Sequence, residues 1–319
     1  MLKKKMIRKI IIATGALFAL FLIYLIPNEN VNDLESKQEL EYINLDVKTN
    51  PIFLLNSNNY LGRCEIVINS NNPTNQIKEL LQVLISGGEG ENRIPNGFKS
   101  ILPSDTKILS IDLNDGIVKI NFSKELLDID ETLEEKMIEA IVYTVTTIDE
   151  VKGVIIYVDG DILTKLPKTK INLPTTLDRS FGINKTNDLT STKDFNQVTI
   201  YYVNKYNDNT YYVPVTKYLN DKRDKISIVI DELTSLKTYT GNLMSYLNSN
   251  TKLLKVQEEA DFLQLTFNSY IFDDVNNKDI LEEVIYTICL SINDNYDVKE
   301  VIFDYENEEI YKTVLKSIE

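Results

Sequence analysis

Side chains able to act as nucleophiles are few in this chain and lack activating neighbours. Cys64 and Cys289 are its only cysteines, and a thiol attacks only when a nearby base or cation lowers its pKa. The 319 residues contain no histidine, which removes His-based triads, imidazole proton shuttles and imidazole metal ligands. Cys64 falls in a strand-like run and Cys289 on an apolar helical stripe, both packing positions. A bridge between them would join non-equivalent elements and is not expected. Ser123 follows Phe122 at a strand end without a surrounding G-x-S-x-G, so it reads as a turn or cap.

Carboxylates are abundant, with 48 Asp and Glu against 34 Lys and Arg and a formal charge of −14. The pairs Asp128/Asp130, Glu134/Glu135 and Asp273/Asp274 have the residue types for acid and base work, which needs one carboxyl kept neutral by burial. They lie near expected helix starts, where anions offset the positive end of the dipole, so a solvated or capping role is expected. Asp274 to Asp279 lacks the glycine and terminal glutamate of a calcium loop. Gly87-Gly88-Glu89-Gly90 closes a helical run rather than opening one, which reads as a helix stop and not a phosphate cradle. No P-loop, dinucleotide fingerprint or zinc spacing occurs. The residues point to no catalytic group, cofactor or metal, and the acidic balance disfavours nucleic acid. Tyr201-Tyr202 and Tyr211-Tyr212 flank Asn207-Asp208-Asn209. Adjacent strand residues face opposite ways, so one ring of each pair is expected to face solvent or a contact surface.

Elements that would position these residues begin with a membrane anchor. Lys3, Lys4, Lys5, Arg8 and Lys9 precede an uncharged run over residues 10–26, which Pro27 ends. Such a run makes roughly 25 Å of helix, the short end of what crosses a bilayer. The cations place the amino terminus in the cytoplasm and the body outside the cell membrane, as a single-pass protein. No small-residue cleavage site follows, so an uncleaved signal anchor is expected.

The body carries an internal repeat. Ser100-Ile-Leu-Pro-Ser-Asp-Thr-Lys-Ile-Leu109 aligns with Ser245-Tyr-Leu-Asn-Ser-Asn-Thr-Lys-Leu-Leu254 at an offset of 145, which also carries Ile117–Phe122 onto Phe262–Phe267. Glu139–Val145 matches Glu282–Ile288 at an offset of 143, and Val154–Tyr157 matches Val301–Asp304 at 147. The expected organisation is a basic flank and anchor over 1–27, a polar tether over 28–50, a first domain over 51–166, a linker over 167–195 and a divergent second domain over 196–319.

In the first copy, Ile52–Leu55 and Glu65–Ile68 read as strands. Ile77, Leu80, Leu81, Leu84 and Ile85 form a helical stripe. Asn114-Asp115-Gly116 signals a tight hairpin between two strands. Leu133, Met137, Ala140, Ile141, Thr144 and Ile148 mark a second helix, with Thr132 and Glu135 as a capping box, and Val154–Val158 closes the domain. The order ββαββαβ predicts an α+β fold of two tandem small sandwich domains, helices on one face of a sheet. In the second copy Ile226–Leu233 fits either helix or strand.

Ile101–Leu109, Asn114-Asp115-Gly116, Val118–Ser123, Ala140–Thr146 and the strand running into Val158-Asp159-Gly160 resemble the GerMN domain of sporulation and spore-germination proteins. Asp105 stands where that family usually has glycine. Matching positions are Leu102, Pro103, Thr106, Lys107, Asp115, Gly116, Phe122, Ser123, Tyr143, Thr144, Asp159 and Gly160, and the resemblance implies turn, hairpin and core roles for them. Asp178–Asn184 also resembles the segment that joins tandem copies. What the resemblance implies is an extracytoplasmic protein of an endospore-forming bacterium with domains similar to ring-building modules of secretion systems.

The expected function is that of a membrane-anchored, non-enzymatic assembly protein in sporulation or germination, part of an envelope complex between mother cell and forespore. Its partners would be other envelope or sporulation-complex proteins, or further copies of itself. The rival is a cell-envelope binding module that captures peptidoglycan or a small ligand between the two domains. A hydrolase using carboxylates alone ranks third.

Overall fold

A computed structural model describes Thr14 and residues 49–191, 193–235 and 242–315. The expected anchor over 10–26 and almost all of the tether lie outside the described residues, and among those described no helix is long and apolar enough to cross a membrane. From Lys48 onward the chain forms one unit.

The first copy opens with the antiparallel pair β1 (Thr49–Asn56) and β2 (Leu61–Val67). Their turn is built by Asn56, whose Oδ1 accepts the amides of Asn58 and Tyr60. Helix α1 (Pro73–Leu84) starts where Asn72 accepts the amides of Thr74 and Asn75, with Pro73 in the first turn where its missing N–H costs nothing. After β3 (Phe98–Lys99), strands β4 (Ile108–Asn114) and β5 (Ile117–Phe122) meet at Asp115 and Gly116. Both turn residues have positive φ, 51° and 79°, as a tight hairpin turn requires. Helix α2 (Glu134–Val145) then crosses over to β6 (Gly153–Val158), which lies parallel to β5 and carries β7 (Asp161–Ile162) at its edge.

The second copy repeats this course. After β8 (Thr186–Asn187) come the hairpin β9 (Asn196–Tyr206) and β10 (Asn209–Leu219), and then helix α3 (Lys225–Thr234), which settles the open element as helical. Strands β11 (Leu253–Glu258) and β12 (Phe262–Phe267), helix α4 (Glu282–Asn295), β13 (Glu300–Tyr305) and β14 (Glu308–Val314) complete it. The eroded turn at Ala260-Asp261 keeps one duty. The Asp261 carbonyl accepts the amides of Lys299 and Glu300, as the Gly116 carbonyl accepts those of Lys152 and Gly153.

The sheet arrangement departs from two self-contained sandwiches. Each copy keeps a four-stranded sheet, β4-β5-β6-β7 and β11-β12-β13-β14, but the leading hairpins belong to neither. They join each other in a shared sheet of order β3-β1-β2-β10-β8, with β9 on the far side of β10.

Several local expectations are also corrected. The Thr132/Glu135 capping box does not form. Asp130 caps the preceding short turn through the Thr132 amide, and α2 begins only at Glu134. Glu134 is neither solvated nor a cap of its own helix. It is fully buried and accepts the amides of Lys168 and Thr169 at 2.9 and 2.7 Å. Burial works against its charge, yet those amides hold the carboxyl below the usual range. Residues 167–195 are more than a linker, since Leu173, Leu177 and Ile183 lie in the first core.

The helix alignment shifts as well. Thr144 Oγ1 accepts the Phe53 amide at 3.1 Å, and Ser291 Oγ accepts the Tyr201 amide at 2.9 Å. These equivalent bonds pair α2 with α4 at an offset of 147, one helical turn from the 143 read in the sequence. A slip of four residues leaves the apolar face unchanged, so periodicity alone does not separate the two. Replacing either acceptor, as Thr144→Val or Ser291→Ala, leaves a buried amide without its partner. Each variant is expected to lose about 1–3 kcal/mol, read as a lower denaturant midpoint at unchanged slope; a shift in only one of the two would contradict their equivalence.

Candidate functional site

Two clusters of buried and half-buried polar side chains hold the copies together, and both are anchored in the segment Asp178–Asn184. Asp178 accepts the Ser180 amide and starts a single 3-10 turn over Arg179–Phe181, which aims Arg179 into the junction. Its guanidinium pairs with Asp294 of α4, whose side chain is 1% exposed, and its Nε donates to Thr146 Oγ1 at 3.1 Å. The same group lies over the ring of Tyr143, 5.1 Å from the centroid, and 5.9 Å from that of Phe53. Phe53 and Tyr143 pack edge to face at 5.4 Å. Tyr201 Oη donates to the second Asp294 oxygen at 3.0 Å. Burial opposes the Arg179 charge more than any one neighbour favours it, but Asp294, Tyr201 and Tyr143 together hold the guanidinium above its ordinary range. Burial, reinforced by Asp294, pushes the Tyr143 and Tyr201 hydroxyls up.

Asn184 makes the second cluster. Strands β2 and β10 pair at one register position, Arg63 opposite Tyr212, so Leu61 and Pro214 come next to each other further along. In a strand the N–H and C=O of one residue point to the same edge, and Pro214 has no N–H to offer there. The Asn184 carboxamide fills the place. Its Oδ1 accepts the Leu61 amide at 2.9 Å, and its Nδ2 donates to the Leu61 carbonyl at 2.9 Å and the Pro214 carbonyl at 2.8 Å. Its backbone sits at φ 47°, a region asparagine tolerates. Its own amide donates to Glu139 Oε2 at 2.8 Å, and Lys136 Nζ donates to its Oδ1 at 3.1 Å. Burial raises the Glu139 carboxyl to about 7 against the opposing pull of Lys136 and Lys185. Lys136 is lowered by its own burial.

Three of the four doubled tyrosines are absorbed by this junction. Tyr201, Tyr202 and Tyr211 are buried, Tyr211 packs on Phe98 at 4.6 Å, and Asn56 Nδ2 donates to its hydroxyl at 3.1 Å. Gly97, at φ 92°, lies under the Tyr206 ring with no room for a Cβ. An open polar cleft of about 600 Å³ remains beside Arg179, lined by Asn50, Arg63, Thr147, Asn293 and Asp297.

The family-motif residues lie apart from the junction, except for Tyr143 and Thr144. Ser123 is no nucleophile elbow: its Oγ accepts the Lys107 amide at 3.0 Å and closes the β4–β5 hairpin, as Asn268 does for Lys252. Leu102 and Phe122 are fully buried, and the buried Thr106 donates its amide to the Pro103 carbonyl. Asp159 and Gly160, at φ 48° and 90°, turn β6 into β7. Cys64 and Cys289 are free and buried, with thiols pushed up by burial. Among the described residues no cluster of three or more Cys, Asp or Glu could hold a metal. Arg179 and Asn184 lie in the Asp178–Asn184 segment that resembles a joiner of tandem copies, but no individual role for them, or for Glu139 and Asp294, is readable from the sequence. The available signals were apolar Phe181 and Ile183 inside a polar stretch, and a proline in the strand-like run of β10.

Two outcomes follow from this geometry. Asn184→Ala strips the main chain of Leu61 and Pro214 of partners and is expected to lower stability by at least ~2 kcal/mol in equilibrium unfolding. The raised Glu139 carboxyl makes the folded chain the tighter proton binder between about pH 4.5 and 7. Its contribution is present below that window and lost as pH rises through it. The stability difference between wild type and Glu139→Gln should therefore shift against wild type by up to about 3 kcal/mol from pH 4.5 to 7; a pH-independent difference would refute the buried-proton assignment.

Known proteins carry the same architecture. The Germane family model, described as sporulation and spore germination, matches residues 51–164 and again 199–311. The spore germination protein GerM of Bacillus subtilis is 30% identical over 259 residues, covering 78% of this chain and 69% of that protein. The solved structure of the tandem GerMN domains of the sporulation protein GerM from Bacillus subtilis superposes with a TM-score of 0.75 at 26% identity, covering 82% of this chain and 92% of that one. With both halves matched by one family model and a relative aligned over most of its length, the chain belongs to the Germane family of sporulation and spore germination proteins.

Proposed function

We propose that this sporulation and germination protein is a non-enzymatic assembly subunit, anchored by residues 10–26 with its body outside the cytoplasmic membrane, where it docks partners of an envelope complex. The observation that carries the reading is a duplicated surface feature. Leu109 and Leu254 occupy equivalent positions on the edge strands β4 and β11, each at a bulge in its hairpin, and are 50% and 62% exposed. A bulge blunts an edge against indiscriminate strand pairing and re-aims a side chain. Here it turns an apolar side chain to solvent in both copies. Two matching apolar knobs on one block suit repeated docking of partner subunits.

Capture of a small ligand in the cleft beside Arg179 is the weaker reading, since Arg179 is already engaged by Asp294, Thr146 and two aromatic rings. Crosslinking and pull-down of the full chain from sporulating cells tests the assembly reading. Wild type should recover other envelope proteins from the membrane fraction. Leu109→Lys with Leu254→Lys should stay within about 0.5 kcal/mol in stability and lose most of that recovery. An uncrosslinked monomer, or equal recovery by the variant, would refute the proposal.

A further inference from the structure

Strands β2 and β10 separate on the other side of their one register contact. Arg63 and Tyr212 are the one register pair between the two strands, and Glu65 and Thr210 border the space beyond it. The sheet splays there into a groove of about 560 Å³. Its walls carry Phe98, Tyr206, Tyr212 and Tyr286, and Tyr212 stacks on Tyr286 with centroids 5.4 Å apart and planes 6° from parallel. Tyr206 is 36% exposed. Glu65, Glu282 and Glu283 border the same space. The opposing cations are Arg63, already 2.5 Å from Glu65, and Lys205, engaged chiefly by Tyr246 and less by Glu283. Aromatic faces beside an excess of carboxylates attract a cationic side chain, and a splayed sheet edge accepts an extended main chain.

We infer that this groove docks an extended, basic segment of a partner protein, with an arginine or lysine side chain held between the tyrosine faces and Glu282/Glu283. A different protein is favoured as the occupant over the acidic tether or a second, strongly anionic copy. Residues 28–48 hold six carboxylates against two lysines, and a second copy brings a formal charge of −14. The inference rests on the assembly reading and adds the chemistry of one partner.

Fluorescence anisotropy of the full chain in non-ionic detergent, with a labelled short peptide alternating arginine and valine, tests it. Expected is saturable one-to-one binding that weakens with salt. It should fall at least about tenfold in Glu282→Gln/Glu283→Gln, in Tyr286→Leu, and when citrulline replaces arginine. The glutamine variant keeps the size of both first-turn side chains of α4, and its fold is checked by circular dichroism. Equal binding of the citrulline peptide, indifference to both variants, or displacement by arginine amide as effective as by the peptide would overturn the inference. Crosslinked partners without basic segments would overturn it while leaving the assembly reading intact. Peptide binding as expected with no partners recovered from cells would support it and remove the assembly reading instead.

Discussion

The side chain of Asn184 is the constraint on which the rest of the molecule depends. Two repeated hairpins could each have closed on their own copy, but they meet edge to edge, and the meeting is incomplete because Pro214 supplies no donor. A buried Leu61 main chain facing that gap would be costly unless satisfied. One carboxamide has the donor and acceptor capacity to satisfy Leu61 on both groups and Pro214 on the third, with Lys136 taking the remaining acceptor site.

From that join follows the block-like character of the body. The Arg179–Asp294 pair crosses between the same two copies, with its charge braced by Tyr201, Thr146 and two rings. Removing one partner would leave the other charge buried and unpaired. Both clusters arise from a segment of seven residues, so the connection between the copies is also the mortar between them. Such a body presents its surfaces at a constant spacing, which suits docking better than closure over a ligand.

Much of the fold was legible in the sequence, and its gaps have physical causes. The hairpin at Asp115-Gly116 and the helices over α1, α2 and α4 were visible because turn chemistry and apolar periodicity are local signals. Helix α3 stayed ambiguous because its run Ile226-Ser227-Ile228-Val229-Ile230 fits both periods. The slip of α4 against α2 went unseen because one helical turn preserves the face. The shared sheet and its clamp were not legible. Strand pairing between copies is a long-range choice, and an asparagine in a polar stretch looks like any turn residue. Glu134 departs from the solvated or capping role expected of an acid at a helix start, because the chain folds back to place the Lys168 and Thr169 amides on it. The resemblance carried by the first-copy motifs pointed to the family, while those motif residues mostly build turns and core.

The most direct test of this account is equilibrium unfolding followed by separate backbone resonances in β5 of the first copy and β12 of the second. The account predicts one coincident transition with a common midpoint, because the shared sheet makes the copies a single cooperative unit. Two transitions at separate midpoints in the wild-type chain would show independent modules joined by a loose connection, and would contradict it.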